Sequence, residues 1–235
     1  LNLPAFLEEM RSCTAKGGSS SPPPAAYPAA FAKAGPAFVV TLSSKLSGSY
    51  NSAVMGKQFA EENGSADVHI FDSKSACAGE LLLAIKISRL IKQKLSRQAI
   101  VESINHLIDG MKTYFVLERY DNQQKNVRLN KINGKIISIL GMRLIMGADQ
   151  EGHIALYQKA RGESSMLEKM VALVEKSGKN TKGEEMVISH CNNPGLAQRL
   201  AAAVTQQFCF AHIHIVPTGG LSSLYTDNGG VVMAF

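Results

Sequence analysis

The stretch Val39-Val40-Thr41-Leu42-Ser43-Ser44-Lys45-Leu46-Ser47-Gly48-Ser49-Tyr50 decides how the rest of the chain is read. Three β-type residues run into a polar turn, and Ala53, Met55 and Phe59 follow at helical spacing. The pattern predicts a strand, a turn and a helix, with Ser47 at the helix N-cap. The first backbone N–H groups of a helix lack internal partners and carry roughly half a positive charge. Gly48 has no Cβ, so a ligand can approach the backbone there. An anion suits such a place, and serine hydroxyls surround it. A plain helix cap explains the same residues equally well.

Outward from this segment, strands alternate with helices. Residues 3–11 have helical spacing, and the polar segment Gly17–Pro24 breaks it. A short Ala-rich helix is expected over 25–34, a strand over 37–42 and a helix over 47–62. A second strand, Asp67–Phe71, ends in the turn Asp72-Ser73-Lys74-Ser75. Ala78–Gln93 reads as a helix whose early face is almost wholly apolar, hence buried. Another helix over 97–112 and a third strand over 113–117 follow. Alternation of this kind predicts βαβ units and a largely parallel sheet, in which ligands bind beyond the carboxyl ends of the strands. Both the Ser43–Ser49 and the Asp72–Ser75 turns stand at such ends.

Beyond residue 120 the character changes. An apolar segment, 136–146, leads to a turn at 149–152 and a strand at 153–157. A helix over 164–176, a strand over 185–190, a helix over 194–206 and a strand over 212–216 come next. A Gly-rich loop is expected over 219–230, and an apolar strand, 231–235, closes the chain. The expected organisation is two α/β domains, 1–120 and 121–235, with a parallel sheet in the first.

The 235 residues are 45% hydrophobic and 19% charged, a composition that buries a core without low-complexity or disordered character. No apolar run nears the roughly 18 residues of a membrane span. The start, Leu-Asn-Leu-Pro-Ala-Phe, has neither the basic region nor the apolar core of a leader. The four cysteines (Cys13, Cys77, Cys191, Cys209) are far apart, without CxxC or zinc spacing, and read as reduced, mostly buried thiols of a cytoplasmic protein. His212 and His214 share a strand face, but no third ligand accompanies them, so no metal is expected. Net charge is +6, and a basic stretch runs from Arg119 to Lys135. With only Tyr120 available for stacking there, a solvated face or a docking face for an acidic partner fits better than nucleic acid.

Several of these segments together resemble the DegV family of bacterial fatty-acid-binding proteins. Ser43–Tyr50 is similar to that family's S-S-x-L-S-G-T-Y, and Asp72–Ser75 to its D-S-[KR]-x turn. Ser19-Ser20-Ser21-Pro22 resembles its T-S-x-P loop, and Asp149–Gly152 with Arg161-Gly162 resembles its D-G-x-I … R-G segment. The resemblance covers the chain in the family's order. It implies two α/β domains with a long-chain fatty acid in the cleft between them and no other cofactor. Ser47, the Gly48 N–H, Ser19, Ser20 and Tyr225 would bind the carboxylate. Ala78, Leu81, Leu82 and Ile85 would line an acyl tunnel. A fatty acid kinase subunit would be the partner, with Arg128 and Arg161 as docking residues, and transient membrane contact stays open. The chain itself has no P-loop and no kinase signature, so it reads as a carrier and not the catalyst.

Three departures qualify the resemblance. The family's opening strand, ending in D-S-x-x-D, is missing from this sequence. Asn126-Val127-Arg128-Leu129 stands for G-G-R-I. Tyr225 stands where many members have a histidine, so a hydroxyl replaces a group that can carry positive charge. Two other functions are compatible with the serine turn: a serine hydrolase of acyl esters with Ser47 as nucleophile, which needs a nearby histidine, and a module binding a small anion such as a phosphosugar.

Overall fold

In a computed structural model the chain is an α/β structure built on two sheets; residues 1–13, 18–62, 64, 67–118 and 142–235 are described. Helix α1 (Leu3–Ser12) comes first, capped by the Asn2 side chain. After a 3-10 turn at Pro24–Ala26 come α2 (Tyr27–Ala34), β1 (Ala37–Thr41), α3 (Ser49–Glu62), β2 (Val68–Asp72), α4 (Ala78–Lys92) and α5 (Arg97–Gly110). Strands β1 and β2 pair in parallel, from Ala37↔Val68 to Thr41↔Asp72. Alternate residues of a strand face opposite sides, and here both sides are covered. Val39 and Ile70 pack with Phe31 and Ala60 of α2 and α3. Phe38, Val40 and Phe71 pack with Leu83, Ile87, Ile100 and Ile104 of α4 and α5.

The second sheet comprises β3 (Thr113–Val116), β4 (Met142–Ala148), β5 (Ile154–Arg161), β6 (Glu185–His190), β7 (His212–Pro217) and β8 (Val231–Ala234), in the order β5-β4-β3-β8-β6-β7. Among the described strands of this sheet, only β6 and β7 pair in parallel. Helices α6 (Gly162–Lys176) and α7 (Pro194–Thr205) cover one face through Met166, Met170, Leu196 and Leu200. Helix α8 (Gly220–Thr226) leads into β8.

Helix α4 joins the two sheets, which is why its face is so apolar. Leu83, Ile87 and Leu90 belong to the first core, while Ala78 and Leu82 bury themselves against Val187, Val232 and Ala234 of β6 and β8. Arg89 of α4 adds a 2.7 Å ion pair to the buried Glu185 of β6. Burial alone would raise the Glu185 carboxyl, but hydrogen bonds and charge from His214 and Arg89 hold it below the ordinary carboxylate value.

Several expectations are corrected. The strand over 113–117 does not extend the first sheet: β3 lies between β4 and β8 and runs antiparallel to both. The segment 219–230 is not all loop, because α8 occupies Gly220–Thr226. Helix α3 begins at Ser49, two residues after Ser47, so Ser47 precedes the N-cap position. Cys13 and Cys209 are exposed and only Cys191 is fully buried, though none of the four cysteines is in a disulfide. The basic stretch 119–135, Arg128, the boundary at 120 and the first part of the apolar segment 136–146 lie outside the described residues.

Candidate functional site

The two strand ends of the first sheet are tied together before any ligand is considered. The Asp72 carboxylate, at the end of β2, accepts from the Ser44 N–H at 3.0 Å and from the Lys74 N–H at 3.1 Å. The Ser43 N–H donates to the Ser75 carbonyl at 2.8 Å. An acceptor that bonds backbone donors on either side of it fixes both turns at once.

From this base two hydrogen bonds reach the second sheet. The Ser43 hydroxyl donates to the Gly152 carbonyl, in the turn between β4 and β5, at 2.8 Å. Ser75 and Thr113, both buried, share a 2.7 Å hydroxyl pair. Gly152 has φ +89°, and a Cβ there would stand 2.4 Å from Ser43 Oγ and 3.0 Å from Lys74 Cα. Only glycine combines that backbone with that approach.

The hydroxyl cluster forms ahead of α3. Ser47 Oγ accepts from the Ser49 N–H at 3.2 Å and pairs with Ser49 Oγ at 2.8 Å. The Ser19–Pro22 loop comes over it: a Cβ on Gly48 would lie 3.1 Å from Ser21 Oγ. Ser21 is therefore part of the cluster, and the sequence reading, which took Ser19 and Ser20 from this loop, missed it. Ser19 Oγ bonds Tyr225 OH of α8 at 2.7 Å. Ser20 is exposed on the same loop. Thus Ser19 and Tyr225, 206 positions apart, meet directly, and Ser47 and Gly48 lie beside the same loop.

Between the sheets is a cavity of about 860 Å³ including its mouth. Leu42, Leu46 and Ala76 form one wall; Phe115, Leu117 and Ile154 form the facing one. Tyr225 and Leu221 of α8 stand on its edge, and Leu221 is 43% exposed. The lining includes Cys77 and stops there: Ala78 and Leu82 are core, Leu81 lines a second cavity behind Cys77, and Ile85 packs against the core of β6 and β8. Arg161 is exposed at the end of β5, away from these walls.

The surface lining this cavity is mostly apolar. Burial pushes the Cys77 thiol up, against hydrogen bonds from Ser189 and Ser222, so the neutral form is favoured. Burial also raises Glu80, against the Cys77 N–H that it accepts at 2.9 Å. Tyr114, behind the β3 wall, is pushed up to about 12, first by burial and then by Tyr157. Of the expected head-group residues, Tyr225 is the one in the described lining; Ser75, Thr113, Ser222 and Thr226 add hydroxyls and His153 an imidazole, and hydroxyls can hold a carboxylate by hydrogen bonds. Among the described residues no histidine bonds the Ser47 hydroxyl, whose partner is Ser49. No group of three or more metal-ligating side chains occurs among them either.

The chain matches the sequence pattern described as uncharacterised proteins of the DegV family over residues 1–235. The chain belongs to the DegV family. A DegV domain-containing protein of Streptococcus gordonii is 37% identical, with all of this chain and 83% of that protein covered. A DegV family protein of Ruminococcus gnavus, whose crystal structure was refined with vaccenic acid, superimposes with a TM-score of 0.94 at 35% identity. That match covers 100% of this chain and 84% of the other. The fatty acid kinase B3 protein of Streptococcus pneumoniae, crystallised with linoleic acid, gives a TM-score of 0.92 at 34% identity, covering 100% and 83%. No helix among the described residues of this DegV protein is long and apolar enough to cross a membrane.

Proposed function

We propose that this DegV protein binds a long-chain fatty acid, shields its acyl chain between the two sheets and presents the carboxylate to a partner kinase. The observation that carries the reading is the apolar cavity between Leu42, Leu46 and Ala76 on one side and Phe115, Leu117 and Ile154 on the other, with hydroxyls at its edge. Each sheathed methylene contributes about 0.8 kcal/mol, so hydrocarbon supplies the affinity. The head group would be held by Ser47, the Gly48 N–H, Ser19, Ser20 and Tyr225, with Ser21 completing the set. Two relatives crystallised with fatty acids match this chain over its whole length, which supports the same ligand class here.

The protein acts as a cytoplasmic carrier in this reading, and a kinase supplies ATP and catalysis. The pneumococcal relative, named as a fatty acid kinase protein, supports that partnership. Arg161 and Arg128 are the candidate contacts. A phosphosugar would call for cations at the serine turn, where Lys45 is the near one, and would leave the hydrocarbon walls unused.

The test is a titration of delipidated protein with oleate, comparing wild type with Ser47→Ala/Ser20→Ala. Two charge-assisted hydrogen bonds at about 1.5–3 kcal/mol each predict a loss of roughly two orders of magnitude or more in affinity. Equal affinity in the double variant would remove the assigned head-group site.

A further inference from the structure

Behind the acyl cavity lies a second one, of about 760 Å³ including its mouth. Its walls come from β1, α4 and the ends of β6 and β7: Val40, Leu81, Ala84, Ser189 and Val216 among them. The two cavities have two lining residues in common, Cys77 and Ser222. Cys77 Sγ lies 3.0 Å from Ser189 Oγ, and Ser222 of α8 faces the same thiol. Three small polar side chains, from the start of α4, the end of β6 and the first turn of α8, therefore stand where the two cavities meet.

The backbone holds this barrier in place. Cys77 has φ +54° and ψ −104°, a conformation that L residues rarely adopt, immediately before α4. Its N–H is fixed by the Glu80 carboxylate at 2.9 Å. That bond also turns the carboxylate of Glu80, which lines the second compartment, back toward the backbone. Of the other lining residues, Val40, Leu81, Ala84, Val216 and Pro217 are apolar, while Ser189 and Thr218 add hydroxyls.

We infer that Cys77, bonded across to Ser189 and faced by Ser222, is the partition that ends the acyl cavity and sets the longest chain it takes. This rests on the carrier reading given above. Where the partition is absent, the terminal methylenes of a longer acid enter the second compartment, beside Leu81 and Ala84.

Cys77→Gly tests this, because glycine adopts the local backbone without strain and removes the thiol. Delipidated wild type and variant are titrated with saturated acids from about twelve to about twenty-four carbons, where each additional sheathed methylene raises affinity roughly fourfold. Wild-type affinity stops rising at a defined length. In Cys77→Gly the rise continues for at least two more carbons, a gain of about fifteenfold for the longer acid. Ala84→Phe, placed in the Cys77→Gly background to fill the second compartment, cancels that gain and leaves shorter acids unaffected. Superimposable profiles for wild type and Cys77→Gly would overturn the partition while leaving the carrier reading intact. A gain that survives Ala84→Phe undiminished would overturn the second compartment as its destination. Wild type that binds no acid in the series would overturn the carrier reading, and the partition with it.

Discussion

Gly152 is where the turn between β4 and β5 closes on the serine turn, and replacing it with alanine separates contact from conformation. An L residue at φ +89° costs roughly 1–2 kcal/mol in strain. The new Cβ would stand 2.4 Å from Ser43 Oγ and 3.0 Å from Lys74 Cα, and overpacking of that kind costs about 1–3 kcal/mol. Relief of the clash breaks the 2.8 Å bond from the Ser43 hydroxyl to the Gly152 carbonyl, worth about 0.5–1.5 kcal/mol. Gly152→Ala is thus expected to lose about 3 to 5 kcal/mol, or roughly 6–20 °C in Tm for a chain of this size. Gly178→Ala is the control: its φ is +65°, but nothing lies within 4 Å of the added Cβ. It should lose only the conformational part, roughly 2–8 °C. Thermal unfolding followed by circular dichroism measures both. If Gly152→Ala melts no lower than Gly178→Ala, the closure of the two sheets through Ser43 and Gly152 does not contribute as argued.

Other perturbations address the site and the pH response. Ala148→Phe puts a ring on the wall of the acyl cavity; bound fatty acid should be lost from the purified protein, as read by mass spectrometry of extracted lipid, with secondary structure retained. Tyr225→Phe removes the hydroxyl that meets Ser19 and should weaken oleate binding about three- to tenfold. Tyr225→His should instead bind more tightly below about pH 6.5, where the ring gains charge, a trend that titrations at two pH values resolve. Burial holds His190 below its ordinary value of 6.5, so the folded state favours the neutral ring. The unfolded chain then takes up the proton first, and stability falls as pH drops below 6.5. His190→Asn should flatten the rise of Tm between about pH 5 and 7; an unchanged slope would place its origin elsewhere.

The elements carrying strong local signals were legible in the sequence. Strand β1, its serine turn and α3 follow from β-type residues, small polar residues and helical spacing. Strand β6 was read at its observed limits, because a short apolar run between turn residues leaves little latitude. What decides β3 is different: Thr113–Val116 reads as a strand locally, but its partners, β4 and β8, lie far along the chain. Pairing over such separations is set by tertiary burial, to which the local pattern is blind. Helix α8 was hidden because Gly219-Gly220 is a turn signal and only Leu221, Leu224 and Tyr225 supply helical spacing after it. At the site, the hydroxyl-bearing residues were visible, but which serine of the Ser19–Ser21 run faces Gly48 depends on how the loop crosses α3. The apolar face of α4 was legible as buried. That it is shared between two sheets, and is core beyond Cys77, depends on the second sheet's position.

Native mass spectrometry of the protein as purified, followed by solvent extraction and lipid analysis, tests the central claim most directly. The expected result is a one-to-one adduct whose extracted mass is that of a long-chain fatty acid, absent from Ala148→Phe. A protein that emerges without an adduct and takes up no oleate when it is offered would contradict the account.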